Sequence, residues 1–155
     1  FMGCESLKSV LIPPSVTDIK NSAFEGCRFL TEIKLPKALT VINEKVFKSC
    51  SSLRKINIPH AVNYIGEEAF SDCKMLNNVK IPDSVQRINS KAFMGCISLS
   101  EIYIPNSVEY IADNAFQGCR IKEYYTDAIT ITGGVSITGV DIVTCTFASI
   151  EKVSK

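Results

Sequence analysis

The sequence predicts a β-rich repeat solenoid, a right-handed coil of short parallel strands and tight 3₁₀ or α turns, with a short β segment at its C-terminal end. The phrase Phe-x-x-Cys returns every 23 residues from Phe1 to Cys119 without an insertion. Pro and several apolar residues keep the same period, and the segment before each Pro alternates between apolar and polar side chains. A fixed period of about 20 to 50 residues indicates stacked structural units, and such alternation is typical of a strand.

The aromatic and thiol positions of the repeat form two columns of one residue type each. After the first copy, these columns comprise Phe24, Phe47, Phe70, Phe93, Phe116, Cys27, Cys50, Cys73, Cys96 and Cys119. A single coil cannot bury its own apolar side, but copies stacked about 4.8 Å apart shield one another from water. We therefore expect a structural ladder in which Phe lies on Phe and Cys on Cys, with Phe filling the corner between strand and turn.

The first strand of each repeat precedes the Pro. In LTEIKLP, residues 30–36, Ile33 and Leu35 are expected to point inward, whereas Glu32 and Lys34 point to solvent. The proline ends the strand because it has no N–H group to donate to a neighbouring strand.

A second extended run and a turn complete the repeat. LTVI, residues 39–42, is apolar at both ends, and NEKVFKSC, residues 43–50, is expected to be a 3₁₀ or α turn with Phe47 and Cys50 on one face. Several residues at the start of this turn suit a helix N-terminus, and the glycines before Cys suit its end. The former are Asn21, Glu44, Glu67, Ser90 and Asp113, and the latter are Gly26, Gly95 and Gly118.

The sixth copy departs from the pattern. Deletion of one residue after Arg120 would place Ile121 in the Leu column and Tyr124 in the column of Ile102. The solenoid is therefore assigned to residues 1–126 as about six repeats of 23 residues, of which the first and last are partial.

The two ends of the chain bear on where the solenoid ends and whether the protein is longer than this sequence. Residues 127–155 are rich in Ile, Val and Thr, and Gly133-Gly134 has the chemistry of a two-residue hairpin turn. We expect a β-hairpin here that caps the last coil; the alternatives are the start of a further segment and a stretch with no fixed structure. Phe1 lies within the repeated phrase, so we expect a piece of a longer protein, and any targeting segment would lie outside this piece.

The repeated phrase resembles that of a known family. Residues 99–119, LSEIYIPNSVEYIADNAFQGC, carry the pattern Leu-x-x-Ile-x-Ile-Pro-x-x-Val-x-x-Ile-x-x-x-Ala-Phe-x-x-Cys, which is similar to the BspA-type (Treponema pallidum-type) leucine-rich repeat. The resemblance covers residues 1 to about 125 and implies a leucine-rich-repeat-like coil. A Pro column stands where the commoner leucine-rich repeats have Asn, so their hydrogen-bonded Asn ladder is expected to be missing.

Composition and charge argue against several classes of protein. Apolar residues make up 46% of the chain, which argues against disorder. Lys and Arg total 17 against 16 Asp and Glu, so the basic character of a nucleic-acid-binding protein is missing. No apolar run reaches the roughly 18 residues that span a bilayer, and no membrane insertion of this segment is expected.

Neither catalytic nor metal-binding patterns stand out. His60 is the one histidine, and alone it supports neither a triad nor a metal site. The uniform Cys spacing of 23 residues differs from the close pairs that bind zinc. We expect buried free thiols, with disulfides and metal ligation as alternatives, and Cys145, outside the repeat, is the candidate reactive thiol. No enzyme activity and no cofactor are predicted.

The outward side chains of the first strands form the predicted protein-contact face, because solenoids commonly bind on such a sheet face. The candidate residues are Glu32, Lys34, Lys55, Asn57, Asn78, Lys80, Glu101, Tyr103, Glu123 and Tyr125. The charges are mixed, and tyrosines, which favour binding, gather toward the C-terminal end. The alternative is an ordinary polar surface in which Tyr is simply a good strand former. A weaker rival patch on the second run comprises Val41, Tyr64, Arg87 and Tyr110.

The family resemblance implies a non-catalytic protein-binding or adhesion module of a cell-surface or secreted protein. BspA-like proteins are largely of this kind, and several attach to host proteins or to other cells, so the expected partner is a protein. The alternative is a structural spacer that projects another domain and has no ligand of its own, and an enzyme is a remote alternative. The oligomeric state is left open.

Overall fold

Short parallel strands recur along the chain in the computed structural model, which describes the backbone of residues 1–126 and the side chains of residues 1–122. The strands are β1 (Val41–Ile42), β2 (Lys55–Asn57), β3 (Tyr64–Ile65), β4 (Asn78–Lys80), β5 (Arg87–Ile88), β6 (Glu101–Ile104), β7 (Tyr110–Ile111) and β8 (Glu123–Thr126). The predicted hairpin at residues 127–155 and the thiol of Cys145 lie outside the described residues.

The second extended run of each repeat builds one continuous parallel sheet in the order β1-β3-β5-β7. Its register pairs residues that lie one repeat apart, so Ile42 is beside Ile65 and Ile65 is beside Ile88. The coils are therefore stacked in register, as the 23-residue period predicts.

The first strands form the parallel pairs β2-β4 and β6-β8, and β4 lies next to β6. In the last pair Ile102 is beside Tyr124, which confirms the one-residue deletion predicted in the sixth copy. β6 ends at Ile104, directly before Pro105. Each proline then begins a β-turn: the Val108 N–H donates to the Pro105 carbonyl oxygen at 3.1 Å, and the equivalent bond is present in the other four coils.

The six phenylalanines lie on one another along a single line, as predicted. Successive ring centroids are 5.1 to 5.6 Å apart, and the ring planes differ by 2 to 11°. Phe47, Phe70 and Phe93 are fully buried. A centroid distance larger than the coil spacing of about 4.8 Å corresponds to offset stacking, which aromatic rings prefer to a face-to-face sandwich.

The cysteine column supplies hydrogen bonds as well as apolar packing. Each of its five buried members has its Sγ atom 3.0 to 3.2 Å from the carbonyl oxygen of the Phe that lies 26 residues earlier. The thiol is the donor, so each Cys ties its coil to the backbone of the preceding one.

The turn between the second run and Cys differs from the predicted 3₁₀ or α turn in one respect. Its internal hydrogen bonds join residues three apart, as from Ala23 N–H to the Lys20 carbonyl, but only at alternate residues. The intervening N–H groups reach the next coil instead, as from Phe24 to the Val46 carbonyl oxygen at 2.9 Å. A helix would use its N–H groups within its own segment. The described residues accordingly contain no helix. Four of the five residues expected at helix N-termini, Asn21, Glu67, Ser90 and Asp113, are instead the second residues of β-turns.

Asparagine side chains form hydrogen bonds between coils after the second run, and not at the position after the first strand that was considered in the sequence. The Nδ2 atom of Asn43 donates to the Ile19 carbonyl oxygen at 2.8 Å, and Asn89 donates in the same way to Ile65 at 2.9 Å. Both asparagines directly follow a second run, whereas the Pro column follows the first strand. These bonds therefore lie at a position that the expectation about the Asn ladder did not concern.

Candidate binding face

The two-residue alternation of the first strands turns polar side chains outward. β2 exposes Lys55 and Asn57 on either side of the buried Ile56, and β4 repeats the pattern. The parallel register then places Asn57 beside Lys80. Side chains from successive coils thus form rows on one surface, which we call the first-strand face.

The described part of this face includes eight of the ten predicted contact residues, and all eight are exposed. They are Glu32, Lys34, Lys55, Asn57, Asn78, Lys80, Glu101 and Tyr103. For Glu123 and Tyr125 the structure gives the backbone register alone, with Glu123 beside Glu101 and Tyr125 beside Tyr103. Their part in binding stays a prediction.

An open groove of about 1100 Å³ lies on the N-terminal half of the first-strand face. Its polar lining comes from successive coils and comprises Ser9, Glu32, Lys34, Lys37, Lys55, Asn57, His60 and Lys80. Lys37 and His60 were not among the predicted contact residues. Both stand directly after the Pro column, so the position after Pro flanks the groove in neighbouring coils.

Positive charge is concentrated in the groove. Four of the lining residues are lysines and one, Glu32, is a carboxylate. Within the described residues, none of these lysines lies within 4.0 Å of a carboxylate oxygen. Lysine therefore predominates in the groove, and Glu101, the other predicted carboxylate whose side chain the structure describes, lies beyond it.

The ion pairs among the described residues lie away from the groove, and three of the four are at the turns. Glu68, which is 9% exposed, pairs with Lys48 and has the Lys91 ammonium 3.9 Å away. The hydrogen bond from Lys48 holds the pKa of Glu68 below its usual value, and the same bond raises the pKa of Lys48. These charges stabilise the turn corner and are not free to bind a ligand.

The second-run patch is already engaged within the protein. The guanidinium carbon of Arg87 lies 4.6 Å from the centroid of the Tyr110 ring, which is a cation–π contact between neighbouring coils. Tyr64 is half-buried. This patch therefore offers fewer free groups than the first-strand face.

The buried thiols and His60 do not assemble a reactive centre. Burial raises the pKa of Cys27 and raises that of Cys50 to about 12, which keeps both thiols protonated. His60 is exposed on the groove wall, where Glu32 is the one carboxylate among the lining residues. In the portion of the chain that the structure describes, no group of three or more His, Cys, Asp or Glu residues is placed to hold a metal ion. Nor does this portion contain a helix suited in length and hydropathy to crossing a membrane.

A family model for the BspA type leucine rich repeat region matches residues 1–131 with six copies of the repeat. The chain belongs to the BspA-type leucine-rich repeat family. Among solved structures, this BspA-type chain is similar to the leucine-rich repeat protein of T. pallidum, with 36% identity and a TM-score of 0.82. That alignment covers 90% of this chain and 68% of the treponemal one.

Two further leucine-rich repeat proteins of solved structure share the fold at lower identity. The leucine-rich repeat protein from Bacteroides ovatus is 28% identical over 80% of this chain, with a TM-score of 0.62. The one from Eubacterium ventriosum is 28% identical over 79%, with a TM-score of 0.69. The chain spans 38% and 33% of these two structures, respectively. Among curated proteins, none is a significant match.

Proposed function

We propose that this BspA-type solenoid is a non-catalytic protein-binding module of a cell-surface or secreted protein, and that it mediates adhesion through the first-strand face. One observation carries the proposal. The core side chains hardly change from coil to coil, whereas the exposed side chains of the first strands change in charge, size and hydrogen-bonding capacity. The exposed side chains thus give this face a composition of its own, whereas the core that supports them is nearly the same in every coil.

The rigidity of the frame favours binding over this face. Neighbouring coils are joined by a continuous parallel sheet, by stacked Phe rings and by thiol hydrogen bonds. Groups held on such a frame lose little freedom when a partner binds, so more of the contact energy appears as affinity. Tyr103 is 39% exposed at one end of the face, and partly exposed tyrosine is enriched at binding hot spots.

The surface or secreted location is proposed on the strength of the family resemblance. Labelling of intact cells with an antibody against the repeat region tests it. Labelling without permeabilisation, or recovery of the protein from the medium, is the expected result. A protein that is detected only after permeabilisation would overturn this part of the proposal.

A photo-crosslinker placed on the face tests binding against the spacer alternative. We would replace Asn57 by a benzoylphenylalanine residue and compare it with the same replacement at Glu67, which is exposed at a turn. The expected result is that position 57 crosslinks a discrete protein partner from the surfaces of the producing cells or of their neighbours, and that position 67 does not. Equal or no crosslinking at the two positions would favour a spacer without a ligand of its own.

A further inference from the structure

We propose that the groove on the first-strand face takes an acidic, extended segment of a protein partner. This inference rests on the proposed protein-binding function and adds the chemistry of the ligand. The first observation is the charge of the groove. Its lining contains four lysines, Lys34, Lys37, Lys55 and Lys80, and one carboxylate, that of Glu32. A cleft lined by charges of one sign focuses its field and raises the local concentration of oppositely charged groups.

The second observation is that the described residues place no carboxylate beside these lysines, although several other cations of the protein form ion pairs. Lys20, Arg28, Lys48 and Lys91 each lie within 4.0 Å of a carboxylate oxygen, and all four stand outside the groove. Within the described residues, no such partner reaches a groove lysine. The groove therefore presents positive charge that a ligand can neutralise.

The geometry of the groove suits an extended chain. Lys34 and Lys80 occupy the same repeat position two coils apart, which at about 4.8 Å per coil separates their Cα atoms by about 10 Å. The side chains on one side of an extended peptide repeat about every 6.6 Å, a mismatch that long lysine stems can absorb. Asn57 lies between the two lysines in the same row and offers an amide to a peptide backbone.

A nucleic acid strand fits the groove less well than a peptide. The cations of the lining are lysines, which bind an anion as point charges, and no arginine is present whose fork would hold a phosphate, sulfate or carboxylate by two hydrogen bonds. The lining also has no Phe, Tyr or Trp ring on which a base could stack, and its one aromatic ring is the small imidazole of His60. Compact ammonium groups, an amide and the apolar surface of Pro59, Ala61 and Pro82 suit the carboxylates and apolar side chains of a peptide.

Fluorescence anisotropy with a short labelled peptide of alternating Glu and Ser tests the inference on the full chain. Its counterpart with Gln in place of Glu is the uncharged control. The triple variant Lys34→Gln, Lys55→Gln and Lys80→Gln is compared with Lys74→Gln, Arg120→Gln and Lys122→Gln, which removes the same charge from exposed positions outside the groove.

We expect the Glu peptide to bind at low ionic strength, more weakly as salt is added, and the Gln peptide not to bind. The groove variant should lose about tenfold in affinity, while the matched variant stays within about twofold. Equal losses in the two variants, or no binding of the Glu peptide, would overturn the inference. So would binding of heparin to the groove when the Glu peptide fails to bind.

The two proposals fail differently. Crosslinking of a protein at position 57 together with absence of Glu-peptide binding would leave the protein-binding function standing and remove the acidic ligand. Absence of both signals would remove both proposals.

Discussion

At the scale of single residues, each buried cysteine combines two properties that the core needs. Cys73 has no exposed surface, and its thiol donates to the Phe47 carbonyl oxygen at 3.1 Å. Burial raises its pKa well above the usual value. The sequence predicted the burial, because the column is invariant. It could not predict the hydrogen bond, because the acceptor is a backbone atom in another coil.

The buried thiols should resist modification in the folded protein. We expect a Cys4→Ser, Cys145→Ser variant to react with Ellman's reagent only as fast as it unfolds, because the remaining cysteines are buried and the reagent cannot reach them in the folded protein. The measurement is the number of thiols that react per chain before and after addition of denaturant. Rapid reaction of several thiols under native conditions would contradict the in-register core.

Glu68 carries a buried charge that contributes to folding. Its pair with Lys48 joins positions that differ within the repeat, so no column of the sequence pointed to it. We expect Glu68→Gln to lower the free energy of unfolding by about 1 to 2 kcal/mol at neutral pH, because Lys48 is left without its acceptor. Urea unfolding measures the loss, and Glu67→Gln, an exposed neighbour, serves as the control.

The effect of Glu68 should depend on pH in a definite direction. Its pKa in the folded protein lies below the ordinary value of 4.5, so the stabilisation is present above pH 4.5 and is lost as the pH falls through the folded pKa. The stability difference between the wild type and Glu68→Gln should therefore shrink in acid. A difference that stayed constant from neutral pH down to full protonation would show that the charge plays no part.

At the scale of the elements, the strands were predictable and the turns only partly so. Alternation within LTEIKLP identifies a strand because side chains on a strand have a period of two. The turn was assigned as helical because Phe and Cys three residues apart share a face in a helix. That spacing is equally satisfied by β-turns whose alternate N–H groups pair with the next coil, and one repeat by itself does not distinguish them.

The turns also explain the glycine column. Gly26, Gly95 and their equivalents have φ angles of 72 to 76°, and Ser49 adopts φ 60° at the same position of its coil. Positive φ is readily accessible to glycine and costs other residues about 1 to 2 kcal/mol. The serine at this position is therefore a strained substitution that the rest of the stack tolerates.

Replacement of Ser49 by Gly should stabilise the protein. We expect Ser49→Gly to raise the free energy of unfolding by about 0.5 kcal/mol, since the relief of strain exceeds the added flexibility of the unfolded chain. Ser98→Gly is the matched control, because Ser98 is exposed and has no positive φ, and it should be neutral or destabilising. The two variants are compared by urea unfolding. A loss of stability in Ser49→Gly would show that the turn is not strained there.

At the scale of the whole molecule, the stack could be predicted and the groove could not. A column of identical apolar residues is buried most completely when equivalent residues of neighbouring coils stack on one another. The period alone therefore determines the register of the coils. The groove depends on which polar residues meet across several coils, including Lys37 and His60 beyond the strand. Nothing in the repeat pattern joins those positions to the strand residues.

Deletion of a repeat tests the in-register stack most directly. Removal of residues 54–76, one period of 23, joins Leu53 to Asn77 and preserves every column, whereas removal of residues 54–64 shifts polar side chains into the core. Far-UV circular dichroism during urea unfolding is measured for both variants. We expect the first variant to unfold cooperatively at a lower urea concentration than the intact chain, and the second to show no cooperative transition. Equal behaviour of the two variants, folded or unfolded, would contradict the account.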